Sequence, residues 1–131
     1  MKILDLIHAA GLARLNARAN HSGFKVGAAV ETRTGKVFSG CNVENSTYGL
    51  TVCAERVAVW KALSEGESKF KRIVIVADTE NLTPPCGACR QIIWEYCGDV
   101  EVVLSNLKGN RASFRMSALL PQPFDDRFLR R

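Results

Sequence analysis

Cys53-Ala54-Glu55-Arg56 and, thirty-odd residues on, Pro85-Cys86-Gly87-Ala88-Cys89 are the stretches from which the architecture of this chain is read. Cys86 and Cys89 are three residues apart, so on a helix their sulfurs share one face. Pro85 suits the first turn of such a helix, because its φ is preset and its missing N–H costs nothing there. Cys86 and Cys89 are therefore expected in the first turn of a helix running over 86–96, and Cys53 at the start of a second helix ending near residue 64. Each helix start carries partial positive charge, which favours the thiolate form of a nearby cysteine. Zinc binds thiolate sulfur, and a catalytic zinc keeps three protein ligands and one open position for water. The metal draws the pKa of that water towards about 7. Glu55, two residues after the first candidate ligand, is placed for a proton carrier rather than a fourth ligand.

Other readings of the same residues stand beside this one. Cys86-x-x-Cys89 alone also fits a redox pair or half of a structural zinc site. Cys53 also fits an ordinary buried thiol. A closed structural site would need a fourth ligand from Cys41, Cys97, His8 or His21. Cys97 lies about 12 Å further along a continuous helix than Cys89, too far to share one ion.

Working outward from the two helices, the run Ile73-Val74-Ile75-Val76 within 72–78 reads as a strand buried on both faces. A short apolar strand is expected over 100–104, a turn at Lys108-Gly109-Asn110, and a last strand over 112–116. Ser117 is a candidate cap for a short helix before Pro121. Upstream, strands over 24–32 and 36–43 flank the turn signal Thr34-Gly35 and form a hairpin. Residues 45–51 are polar and irregular. Leu4, Ile7, His8, Gly11, Leu12 and Leu15 recur at helical spacing and predict an amphipathic helix over 2–18. Hairpin, helix, strand, helix, strand gives an α/β fold: a mixed five-stranded sheet with helices on both faces. The two cysteine-bearing helix starts then meet at one sheet edge, where such folds bind ligands.

The composition agrees. The chain has 131 residues, 47% hydrophobic and 24% charged, which fits one globular domain over 1–131. No apolar stretch approaches the ~20 residues that span a bilayer. The first residues are too short and too charged for a signal peptide. Five cysteines without such a signal predict free thiols in a reducing cytoplasm. The net charge of +5 is scattered, apart from Arg127, Arg130 and Arg131 at the end. No basic stripe is interleaved with aromatics, as single-strand binders require, so no nucleic-acid partner is expected.

The motifs resemble the zinc-dependent cytidine deaminases, in the small three-cysteine form. The signature of zinc nucleobase deaminases is His or Cys-x-Glu with Pro-Cys-x-x-Cys. Here it is Cys53-Ala54-Glu55 with Pro85-Cys86-x-x-Cys89. Phe24-Lys25-Val26-Gly27-Ala28-Ala29, Asn42-Val43-Glu44-Asn45, Tyr48-Gly49-Leu50-Thr51-Val52 leading into Cys53, Arg90-Gln91, and Leu119-Leu120-Pro121 with Phe124 follow the family pattern as well. The resemblance implies hydrolytic deamination of cytidine and 2′-deoxycytidine in pyrimidine salvage, with one zinc on Cys53, Cys86 and Cys89 and Glu55 shuttling protons. It implies that Asn42 and Glu44 hold the ribose, that Phe24 packs on the pyrimidine and that the Ala54 backbone reads the base. It implies a homotetramer with shared sites, for which Tyr48 and Phe124 are the residues expected to cross between subunits.

Arg56 is a candidate for hydrogen-bonding the ligand sulfurs, because three thiolates on Zn²⁺ leave a net negative cluster that opposes ionising water. The family often has Tyr-Ser where this chain has His21-Ser22-Gly23; His21 is read as a loop residue, and Cys41 and Cys97 as packing thiols. Three rival functions remain: a deaminase of cytosine-containing nucleoside antibiotics, a polynucleotide deaminase, and a non-catalytic zinc module. The Asn42-Glu44 pair disfavours the first, the lack of a single-strand groove the second, and Glu55 the third.

Overall fold

The computed structural model describes residues 1–129, so Arg130 and Arg131 of the basic tail lie outside the described residues. It contains α1 (Ile3–Arg14), β1 (Val26–Thr32), β2 (Val37–Cys41), α2 (Ala54–Ser64), β3 (Phe70–Ala77), α3 (Gly87–Cys97), β4 (Glu101–Ser105), β5 (Arg111–Arg115) and α4 (Met116–Leu119). Single 3₁₀ turns cover Tyr48–Leu50 and Asp126–Phe128. The sheet order is β2-β1-β3-β4-β5. Only the β3–β4 pair is parallel, joined through α3; the other neighbours are antiparallel.

The central strand β3 carries the architecture. Side chains alternate across a strand, and Ile73 and Ile75 enter one core with Ala58, Ala62 and Ile93 of α2 and α3. Val74 and Val76 enter the other, with Leu6 and Ala10 of α1. A strand sandwiched this way must be apolar throughout, as its sequence is. β1 adds small residues that let helices come close. A Cβ at Gly27 would lie 1.9 Å from the carbonyl oxygen of Ala10, and one at Gly40 would lie 2.8 Å from the backbone nitrogen of Ala58. α1 thus rests on the backbone at Gly27, and α2 on the opposite face at Gly40. Gly27→Ala is expected to lower stability at or beyond the top of the roughly 1–3 kcal/mol that overpacking costs, read as a fall in the urea unfolding midpoint.

Three expectations need correction. α1 ends at Arg14, not near residue 18, because the Arg18 backbone is recruited elsewhere: its N–H donates to Asn42 at 2.9 Å and its carbonyl accepts from Glu44 at 2.8 Å. Its buried face is Leu6 and Ala10, whereas Leu4, Leu12 and Leu15 are exposed. The helix is apolar nearly all round, so periodicity alone could not choose the face. Ser117 does not cap α4. The helix starts at Met116, and the Ser117 N–H donates instead to the Asp99 carboxylate at 2.7 Å. Among the described residues, no helix is long and apolar enough to cross a membrane.

Candidate metal centre and active site

The two cysteine helices open side by side. Cys53 is the N-cap residue of α2 and Cys86 that of α3, both with extended backbone. Cys89 is the third residue of α3 and fully buried. Pro85 therefore lies outside the helix, one residue before its cap, rather than in its first turn. Its carbonyl accepts the Arg90 Nε–H at 2.8 Å, and Arg90 also donates to the Leu119 carbonyl at 2.7 Å, so the approach to Cys86 is pinned from α3.

The Sγ atoms of Cys53, Cys86 and Cys89 lie within 4.8 Å of one another. Among the described residues, neither Cys41, Cys97, His8 nor His21 joins them, which removes the closed four-ligand site. Cys97 packs against the core, and burial pushes its thiol up to about 12. Cys41 is half-buried on β2.

The donor set fits a soft divalent cation. A hydrogen bond from Cys89 holds the Cys53 thiol well below its ordinary value, against the cost of burial, with further help from the Arg56 guanidinium. Cys89, donating to Cys53, is pushed up correspondingly. A thiolate and a thiol sharing one proton across a half-buried cluster offer what a zinc ion needs, since the metal replaces that proton. Arg56 donates from Nη2 to Cys53 Sγ at 3.4 Å, which places the guanidinium at the sulfur cluster; among the described residues its buried Nε has no hydrogen-bond partner.

Glu55 sits in the first turn of α2 and is 5% exposed. Burial pushes its carboxyl up to about 7, and the Cys53 charge adds to that. A carboxyl held there can both take and release a proton. Glu55, Ala54, Cys53 and Cys86 line one cavity of about 250 Å³. Its other walls include Phe24, Asn42 and Glu44. Sequence reasoning missed Ser22, Val26, Thr51, Thr83 and Pro84, which also line it; their residue types carry no signal of a site. Among the described residues, no lysine or arginine lines this cavity.

The sequence model of the cytidine and deoxycytidylate deaminase zinc-binding region matches residues 2–106. The chain belongs to this family. It is 46% identical to the cytidine deaminase of Sporosarcina psychrophila over 125 residues, covering 95% of this chain and 92% of the relative. It superposes on the crystal structure of cytidine deaminase from Burkholderia pseudomallei with a TM-score of 0.92 at 47% identity, covering 95% of this chain and all of that one. A more distant relative is the blasticidin-S deaminase of Bacillus cereus, 34% identical over 104 residues and covering 73% of this chain and 74% of that one.

Within this deaminase fold, most of the expected site residues converge on the one cavity. Phe24 is 41% exposed, so its ring is wall rather than core. Asn42 grips the backbone beside it: its Oδ1 accepts the Val26 N–H at 2.9 Å, and its Nδ2 donates to the Phe24 carbonyl at 2.8 Å. Glu44 Oε1 accepts the N–H groups of His21 and Ser22, both at 2.9 Å. The Ser22 hydroxyl donates to Glu44 Oε2, and these bonds, Ser22 foremost, hold the carboxyl below its usual range. Asn42 and Glu44 therefore both tie loops and face the cavity. Gly23 turns that loop with φ +69°, which favours glycine. Tyr48 and Phe124 do not line the cavity. Tyr48 is 75% exposed and meets His21 edge-on at 5.6 Å, while Phe124 stacks on Phe128.

Proposed function

We propose that this chain converts cytidine and 2′-deoxycytidine, with water, to uridine and 2′-deoxyuridine and ammonia. The observation that carries this is the triplet of sulfurs, two of which, Cys53 and Cys86, share with the buried Glu55 the wall of a cavity that also has an aromatic ring and two polar anchors. Cys53, Cys86 and Cys89 would hold the zinc. When bound, zinc supplies Lewis acidity that brings the ionisation of water near neutral pH. Glu55 takes the proton of the attacking water and delivers it to N3 of the base, then carries a second proton to the amino group leaving C4. Phe24 stacks on the pyrimidine, the Ala54 backbone reads the base edge, and Asn42 and Glu44 receive the sugar.

An aromatic wall at Phe24 and polar anchors at Asn42 and Glu44 suit a neutral nucleoside. The test is uridine formation from cytidine, deoxycytidine and deoxycytidylate, with zinc measured on the same sample. Turnover of the two nucleosides is expected. Zinc-loaded protein inactive on both would overturn the reading, and preferential turnover of a nucleoside antibiotic such as blasticidin S would replace it.

Arg56 drains charge from the sulfurs. Arg56→Gln is expected to lower kcat by roughly 10–100-fold while zinc content is retained; full turnover at full occupancy would remove that role. The active form is a homotetramer working in cytoplasmic pyrimidine salvage. Tyr48 and Phe124, exposed and outside their own cavity, complete a neighbour's site, and the exposed Leu4, Leu12 and Leu15 suit burial between subunits. All five cysteines are free, as a reducing compartment keeps them.

A further inference from the structure

We propose that Ser22 is a positioning residue whose hydroxyl fixes the Glu44 carboxylate to receive a sugar hydroxyl of the nucleoside. This rests on reading the cavity as a nucleoside site.

Ser22 lies on an exposed loop, yet its hydroxyl both donates and accepts. The hydroxyl donates to Glu44 Oε2 and accepts the Phe24 N–H at 2.9 Å. Glu44 Oε1 already accepts two backbone N–H groups, from His21 and Ser22. Those two bonds hold one oxygen of the carboxylate; Oε2 is turned by Ser22. An ionised carboxylate only accepts, so the lone pair it still presents to the cavity selects a hydroxyl that can donate. The same serine oxygen anchors the backbone of Phe24, whose carbonyl is held by Asn42. That second anchor keeps the ring beside the base in place when the serine hydroxyl is lost, so the loss falls on the acceptor for the sugar. Neither role touches the reacting atoms, so its loss weakens binding and leaves the chemical step alone.

The experiment compares cytidine with 2′,3′-dideoxycytidine, which lacks both ring hydroxyls, the latter measured as a competitor of cytidine turnover. Ser22→Ala is expected to raise KM for cytidine roughly tenfold, the scale of a hydrogen bond to a charged group. Its kcat should stay within about twofold, and the inhibition constant of dideoxycytidine should be unchanged to the same margin. Ser22→Thr, which keeps a hydroxyl, should restore KM to within about threefold of the parent. Ser22→Gly makes the same deletion on a different backbone and should give the same split. Cytidine KM unchanged in the alanine and glycine variants would overturn the assignment. So would an equal weakening of both ligands, because Ser22 would then act through Phe24 or the loop alone. A parent chain with no turnover of cytidine would overturn the proposed function and this role with it.

Discussion

Glu55→Gln is expected to reduce kcat on cytidine by about 10³-fold or more, with zinc still bound at one per chain. Glutamine has the same shape but cannot carry a proton, and proton transfer by a positioned carboxyl contributes roughly 10²–10⁴ in rate. The prediction is sharp because Glu55 is 5% exposed and lines the cavity beside Cys53 and Cys86, so few other groups could substitute for it. Its carboxyl is pushed up to about 7 by burial, so ionising it in the folded state is costly. Removing the charge should therefore leave the urea unfolding midpoint unchanged or raised. Loss of activity without loss of fold is the expected pair of results. A variant retaining activity within tenfold would take proton transfer away from Glu55.

The second large effect is at the metal. Cys89→Ala is expected to abolish zinc retention after dialysis against a chelator and to leave no measurable uridine formation. Cys89 is fully buried and shares the sulfur triplet with Cys53 and Cys86, so no exposed side chain can swing in to replace it. Zinc bound only to the folded chain adds its binding free energy to stability, so the variant should also unfold at a lower temperature. Cys97→Ala is the matched control. Its thiol packs in the core away from the triplet, and its loss should cost packing while zinc and turnover persist. Zinc at full occupancy in Cys89→Ala would disprove the three-sulfur site.

Some of the site was legible because its geometry is local. Cys86 and Cys89 share a face by one turn of helix, and that turn is set by residues within a few positions of each other. The run from Ile73 to Val76 read as a strand covered on both sides, and α1 lies on one face with α2 and α3 on the other. Glu55 beside Cys53 needed only the first turn of α2. The shift of Pro85 out of α3 shows the limit: which residue caps a helix depends on what meets its first N–H groups, and that was not readable from spacing.

The amino-acid sequence by itself determined the helix and strand types, the pairing of Cys86 with Cys89 and the placing of Glu55 two residues after Cys53, because each depends on residues close together in the chain. Only the tertiary structure decided which face of α1 is buried, where that helix stops, and that Ser22 and Glu44 clasp across the loop that ends at Phe24. Those outcomes depend on distant segments returning, to pack against Leu6 and Ala10 or to donate or accept a hydrogen bond. Nothing in local propensity records which distant partner arrives.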